Sequence, residues 1–459
     1  MKSDTDVGLL PLGPPGRGEL QAAPDLLAAD PEGNIFEIPE LAMAGRSGRT
    51  AGLPAPEDLI PAPEGSDFFA MPHRDPVGFE RRTGRLVRLR TYRGIPVRAV
   101  AVFMAPAHTA TWWSAFVRRQ GACVLPLFAY TALGWRERRF MAAALRSDPD
   151  IRQDLSGFPG DAEMEQRGRT ILDAHGENAI IRHVVENCAL TYRCPAARNY
   201  VLGRWEAPLP ISPGCNAACV GCISEPPKDH AIPPTQPRLE VLPTAPEIAD
   251  MAVAHLDRAE RPVVSFGQGC EGEPLLRADV MEEAIRLIRA RTSRGVINLN
   301  TNASLPDAVE RLARAGLDSI RISLNSARRE PYERYYVPRG YTFDDVVRSG
   351  EVMRRHGKWI SLNNFIFPGL TDHPAETEAL IGLCRKVRPD LIQLRNLNMD
   401  PDVYCDVTQL QAPALDADRP LGIRRWMEHI RATLPGIRFG YFNPPREAWA
   451  AARQDGLTA

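Results

Sequence analysis

The segment Pro213-Gly-Cys-Asn-Ala-Ala-Cys-Val-Gly-Cys222 (PGCNAACVGC) follows the apolar run APLPIS at 207–212, and its reading decides the fold. It sets Cys215, Cys219 and Cys222 in a Cys-x3-Cys-x2-Cys pattern on one tight loop. Three thiolates so close repel one another and oxidise readily unless they hold a metal. Three ligands on a four-iron cluster leave one iron without a protein partner, and that iron can take a small molecule. The same thiols with His230, eight residues beyond Cys222, would also make a structural Cys3His zinc site in a non-catalytic, metal-stabilised binding module. Zinc sites more often use two Cys pairs or a Cys pair followed by a His pair, so the spacing leans toward iron–sulfur without closing the zinc reading.

Outward from the loop, apolar strands alternate with amphipathic helices. The strands read APLPIS, PVVSFG, VINLNTN, SIRISLN, WISLNNFIF and LIQLRNLN. Between them lie PEIADMAVAHL, VMEEAIRLIRA, AVERLARAG, FDDVVRSGEVMRRHG and ETEALIGLCRKV, each with apolar residues at 3–4 spacing. This is the signal of six βα units around a parallel sheet. Right-handed crossovers gather the loops leaving the strand C-termini at one mouth, so the chemistry is expected there.

CNAACVGC opening such a run resembles the radical S-adenosylmethionine (SAM) superfamily, whose hallmark is this triplet in the first loop of a partial βα barrel. The resemblance covers about 206 to 402. It implies a [4Fe-4S] cluster on Cys215, Cys219 and Cys222, with SAM on the open iron. It also implies a reductive cleavage that yields a 5′-deoxyadenosyl radical able to abstract hydrogen from a substrate. In QGCEGEP, the family's Gly-Glu-Pro corresponds to Gly272, Glu273 and Pro274, which contact the SAM amino group. Asn300 and Asn302 at the third strand end, and Ser323 and Asn325 after the fourth, resemble positions that bind the SAM ribose and carboxylate. NNFIFPGLTD resembles the segment whose backbone packs beside adenine, and Phe365 and Phe367 in it suit barrel core as well. Where the family often has an aromatic residue before the third cysteine, this chain has Gly221. The resemblance leaves the substrate unidentified and implies a reducing partner such as flavodoxin or ferredoxin.

Gly267, Gly269 and Gly272 also spell the dinucleotide fingerprint Gly-x-Gly-x-x-Gly. That reading needs an acidic residue ending the next strand, and Asn300, Thr301 and Asn302 stand there instead. Cys270 and Cys405 are candidate catalytic thiols for hydrogen-atom donation or a covalent link, or else small buried residues. His183, Cys188 and Cys194 form a looser set that offers an auxiliary metal site. Cys123 and Cys384 read as core.

Before the barrel, residues 1–65 read as a flexible, low-complexity arm, and 66–205 as a smaller α+β accessory domain with strands FFAMPHR, RLVRLR and VRAVAVFM. The barrel is expected over 206–402, with 403–459 a C-terminal extension packed on it. Phe68, Phe69, Trp112, Trp113 and Trp135 beside RRTGRLVRLRTYR suit stacked bases, so nucleic acid is not excluded as a partner, though a β-rich core with a charged edge suits them better. The long Pro-rich stretch Glu225–Glu247 is a candidate cover for the site. The 459 residues carry 56 basic and 57 acidic side chains, which excludes a global polyanion-binding charge. The opening MKSDTDVGLL lacks the basic start and apolar centre of a secretory signal, and no apolar run is long enough to span a bilayer, so no membrane role and a cytoplasmic location are expected.

Overall fold

Parallel strands buried on both faces normally read as unbroken apolar runs, whereas these alternate: Ile297 and Leu299 against Asn298 and Asn300, Ile320 and Ile322 against Arg321 and Ser323. The computed structural model, which describes residues 2–4, 8–152, 154–411 and 418–449, shows why. Seven strands form one parallel sheet in chain order: β1 (Glu206–Leu209), β2 (Val263–Phe266), β3 (Val296–Thr301), β4 (Ser319–Leu324), β5 (Trp359–Ile366), β6 (Leu391–Asn396) and β7 (Arg438–Gly440). The apolar face packs against helices α1 (Ala245–Arg258), α2 (Ala278–Arg291), α3 (Pro306–Ala315), α4 (Arg329–Tyr336), α5 (Phe343–Arg355) and α6 (Pro374–Val387). The polar face lines the inside of a curved half-barrel. There Ser265 donates to Glu206 (2.6 Å), Asn298 to Ser265 (3.1 Å) and Ser319 to Asn298 (2.7 Å). Asn443, beyond β7, donates to Glu206 (2.7 Å) and accepts from Gln393 (3.0 Å), tying the two sheet edges together across the interior. The α/β partial barrel is therefore as expected, with the C-terminal extension adding a seventh strand to the six.

The arm expected over 1–65 is instead largely part of the structure. Asp25–Ala29 and Ile35–Met43 pair with each other, and through them with Arg74–Glu80, Arg98–Phe103 and Leu133–Arg136 in one antiparallel sheet. Their partners lie as far as 110 residues away in the sequence, as for Asp25 and Trp135, so no local periodicity reveals them. Leu27, Ala28, Ala29 and Ile38 are buried there. The accessory domain thus begins well before residue 66. A helical run follows it: Asp161–His175, Ala179–Arg182, a π-helix over His183–Thr191 and Pro195–Leu202.

This β module sits over the ends of β5 and β6. Thr109 donates to the Leu394 carbonyl (3.0 Å) and Ala110 N–H to Asn396 (2.8 Å). Arg74 and Asp400, both fully buried, pair at 2.7 Å. Gly48 N–H donates to the Pro368 carbonyl (2.8 Å), and a Cβ on Gly369 would lie 2.2 Å from the Gly48 nitrogen. Four of the aromatic residues considered for base stacking pack on other rings of the protein: Phe68 and Trp135 on Phe140 (4.8 Å each), Phe69 on Tyr130 (5.5 Å) and Trp113 on Phe367 (5.9 Å). Within the basic stretch, Arg81 pairs with Asp25 and Arg88 with Asp75, which Arg119 also contacts.

Candidate active site

The cysteine loop is pinned from both sides. Ala218 N–H donates to the Tyr336 carbonyl (3.0 Å), Val220 N–H to the Tyr335 carbonyl (2.9 Å) and Arg339 N–H to the Asn216 carbonyl (2.8 Å), fastening it to the end of α4. Across the loop, Asn302 donates to Asn216 (2.8 Å) and Asn216 to Ser304 (2.9 Å), tying it to the end of β3. Cys215, Cys219 and Cys222 all border one cavity of about 560 Å³ at the mouth of the half-barrel. Burial pushes the Cys215 and Cys219 thiols up, so a cation is needed to hold them as thiolates. The Glu225 N–H (3.3 Å) and the Arg238 guanidinium (3.5 Å) point at the Cys222 sulfur, and Arg238 comes from the long Pro-rich stretch that closes over the loop.

At the end of β2, Glu273 is buried, accepting from Leu275 N–H (3.0 Å), from Asn302 N–H (2.8 Å) and from the Thr301 hydroxyl. Burial still lifts its carboxyl to about 7. Glu271, two residues earlier, accepts from the N–H groups of Ile211 (2.7 Å), Ser212 (2.9 Å) and Gln268 (2.7 Å), clamping the end of β1 to the end of β2. The glycines of GQGCEGEP (267–274) allow close approach: a Cβ on Gly267, at φ +77°, would lie 1.7 Å from the Asn300 carbonyl oxygen, and one on Gly272 would lie 1.9 Å from the Gly214 carbonyl oxygen. They bring neighbouring loops together, which accounts for the Gly-x-Gly-x-x-Gly pattern without a dinucleotide.

Residues 209–381 match the family described as the Radical SAM superfamily. This segment is a Radical SAM domain. Among its curated relatives, the probable GTP 3′,8-cyclase of Methanococcus maripaludis is 26% identical over 242 residues, covering 51% of this chain and 75% of that protein. The FeMo cofactor biosynthesis protein NifB of Klebsiella pneumoniae is 25% identical over 203 residues, covering 41% of this chain and 42% of that protein. The GTP 3′,8-cyclase of Lactiplantibacillus plantarum is 31% identical over 167 residues, covering 36% and 46%. Among solved structures, Streptococcus suis SuiB bound to S-adenosylmethionine aligns with a TM-score of 0.36 and 15% identity over 54% of each chain. Radical SAM proteins bind a [4Fe-4S] cluster and SAM, and the chain that carries this domain is an enzyme whose substrate none of these matches assigns.

The donor set fits those cofactors. Three free thiols share a pinned loop, N–H donors face one of the sulfurs, and a buried carboxylate stands at the adjoining strand end in the same cavity. Gly272, Glu273, Pro274, Asn300, Asn302, Ser323 and Cys270 border that cavity with the triplet. Asn325 does not: its amide donates to the Pro331 carbonyl (3.1 Å) and to the Tyr404 hydroxyl (3.2 Å) beneath α4. Cys405 is also elsewhere, fully buried on the helix Pro401–Thr408 with the Arg46 guanidinium 3.8 Å from its sulfur, so the catalytic role considered for it has no access to the cavity. His230, the zinc alternative's fourth ligand, lies outside the cavity lining, whereas Phe365 borders it and Phe367 is core. Cys384 is buried as expected, but Cys123 is exposed.

Several site residues escaped the sequence reading. Tyr335 fills the space beside Gly221, where a Cβ would lie 2.7 Å from its hydroxyl oxygen, and it meets Phe365 edge-on at 6.0 Å. The aromatic surface missing from the loop is therefore supplied by α4, which only the fold discloses. Arg321 and Arg395 also border the cavity, one each from β4 and β6. Their signal was present as the odd cation on the polar face of each strand, I-R-I and L-R-N. No described helix is long and apolar enough to cross a membrane.

Proposed function

We propose that Cys215, Cys219 and Cys222 hold the cluster, that Glu273 accepts hydrogen bonds from the amino group of SAM, and that the enzyme acts on a substrate bearing a carboxylate or phosphate. When bound, the reduced cluster and SAM supply a 5′-deoxyadenosyl radical that takes a hydrogen atom from the substrate. Ser323 offers a polar contact to the ribose or carboxylate, Asn300 holds the strand ends in place through Gly267, Asn298 and Asn443, and Tyr335 with Phe365 offers the apolar wall for adenine. Asn302 acts as a positioning residue, since its amide and N–H are already engaged by Asn216 and Glu273. The β module contributes Phe103, Met104 and Pro106 to the cavity wall, which helps exclude water from the reacting centre. A small reduced protein such as flavodoxin or ferredoxin supplies the electron, in the cytoplasm, a compartment that suits nine cysteines none of which is in a disulfide.

The anionic substrate rests on Arg321. Among the described residues its guanidinium makes no hydrogen bond or ion pair; its Nε is buried and unpartnered, and desolvation together with the neighbouring Arg395 lowers its pKa to about 10. Glu206, in the same cavity wall, offsets part of this repulsion, and Arg395 is held by the Tyr441 carbonyl (3.3 Å), which leaves the Arg321 guanidinium as the group suited to a carboxylate or phosphate. The test is a panel of small molecules scored by how far each accelerates 5′-deoxyadenosine formation from SAM under anaerobic, dithionite-reduced conditions. Accelerating compounds are expected among carboxylates and phosphates, with the acceleration lost in Arg321→Gln. Equal acceleration by neutral compounds, or a roughly tenfold rise in KM for SAM as the main effect of Arg321→Gln, would assign Arg321 to something other than substrate.

A further inference from the structure

We propose a second metal centre: a single zinc-type ion bound by His183, Cys188 and Cys270, with its fourth position open to the active-site cavity. The ligand atoms of these three residues lie within 4.8 Å of one another. A tetrahedral ion with bonds of about 2.0 Å to nitrogen and 2.3 Å to sulfur brings its ligands to roughly 3.5–3.8 Å apart, so the set needs only small side-chain adjustments to close. Ligands of a four-iron cluster sit at the corners of a larger body, so a single ion suits this spacing better.

The backbone is shaped for it. His183 and Cys188 are five residues apart, a separation that turns side chains about 140° away from each other on an α-helix. Here the chain runs as a π-helix over His183–Thr191, whose i to i+5 bonding brings such residues toward one side. Cys270 arrives from the loop after β2, three residues before Glu273, and Cys188 and Cys270 both border the cavity. Gln236, from the Pro-rich cover, donates to the Cys188 sulfur at 3.3 Å, while the His183 Nε2 is buried with no partner. The sequence pattern grouped His183 and Cys188 with Cys194; the fold puts Cys270 in that place, and Cys194 falls outside the close set. Two Cys and one His leave a tetrahedral ion one vacant position, the arrangement of sites that bind water or a substrate atom, whereas closed structural sites use four protein ligands. Ion binding displaces the two thiol protons and holds both sulfurs as thiolates beside the SAM cavity.

The experiment is metal and sulfide analysis of the full-length, anaerobically purified protein. Wild type is expected to carry about one zinc per chain beside about four iron. Cys188→Ser and His183→Asn are each expected to lose the zinc and keep the iron. The combined Cys215→Ala, Cys219→Ala, Cys222→Ala variant is expected to lose the iron and keep the zinc, which separates this site from the cluster. Should a variant fail to fold, cobalt(II) substituted into the wild-type protein decides the matter through its thiolate-to-cobalt absorption bands. Zinc absent from wild type, zinc retained in a folded Cys188→Ser protein, about eight iron per chain, or cobalt without thiolate bands would each overturn the proposal. Wild type with zinc and no iron would count against the cluster instead.

Discussion

Glu273 is the side chain on which cofactor binding turns, because its carboxylate is fixed by Leu275 and Asn302 N–H donors and by the Thr301 hydroxyl before any ligand arrives. Glu273→Gln places an N–H where one of these groups already donates. Loss of a hydrogen bond to a charged group costs about 1.5–3 kcal/mol, so KM for SAM should rise by about tenfold or more with iron content unchanged; an unaltered KM would remove Glu273 from SAM binding. His255 provides a separate readout on stability. It is buried, with Nε2 2.7 Å from the Trp205 carbonyl, and burial lowers its pKa to about 4 from an ordinary value near 6.5. Between those values the unfolded chain binds the extra proton. Stability present above pH 6.5 is therefore lost as pH falls toward 4, by a total on the order of 3 kcal/mol. Urea midpoints measured across that window should fall less steeply in His255→Phe than in wild type, and equal slopes would contradict the assignment.

Among the elements, the loop after β2 is held by contact geometry more than by composition. Gly272→Ala forces a Cβ against the Gly214 carbonyl, one residue before Cys215, so the variant should take up little iron on reconstitution; full iron content would show that the loop has slack. The strands and most helices of the barrel were legible because their apolar spacing is local: α1, α2, α3, α5 and α6 each carry the 3–4 repeat, and the triplet and Gly-Glu-Pro sit at strand ends in the sequence itself. Helix α4 was not legible. Its sequence REPYERYY has Pro331 in the first turn and a run of tyrosines, and it is stable through burial of Tyr332, Tyr335 and Tyr336 rather than through propensity. The π-helix carrying His183 was hidden for a similar reason. Its winding is one residue per turn off the α pattern, and the partner that makes it meaningful, Cys270, lies more than eighty residues on.

At the scale of the whole molecule, the β module and the half-barrel form one site, because Phe103, Met104 and Pro106 from the first and the strand ends of the second border the same cavity. The buried Arg74–Asp400 pair is one of the ties between them, and Asp400 also accepts from Leu125 N–H (3.0 Å). Arg74→Ala leaves that carboxylate buried without its cation and should destabilise the protein by about 3–5 kcal/mol, read as a lowered denaturation midpoint; a loss below about 1 kcal/mol would show the interface to be loosely coupled. This module was the least legible part of the chain, since pairing between residues 25–43 and strands as distant as Leu133–Arg136 leaves no local trace. The half-barrel's chemistry, by contrast, comes down to whether one iron stays open to SAM. The electron paramagnetic resonance spectrum of the dithionite-reduced, reconstituted protein, recorded before and after adding SAM, addresses this most directly. A reduced [4Fe-4S] signal that changes on SAM addition, and that is absent from the Cys215→Ala, Cys219→Ala, Cys222→Ala variant, is the predicted result. A signal indifferent to SAM, or one that persists without the three cysteines, would contradict it.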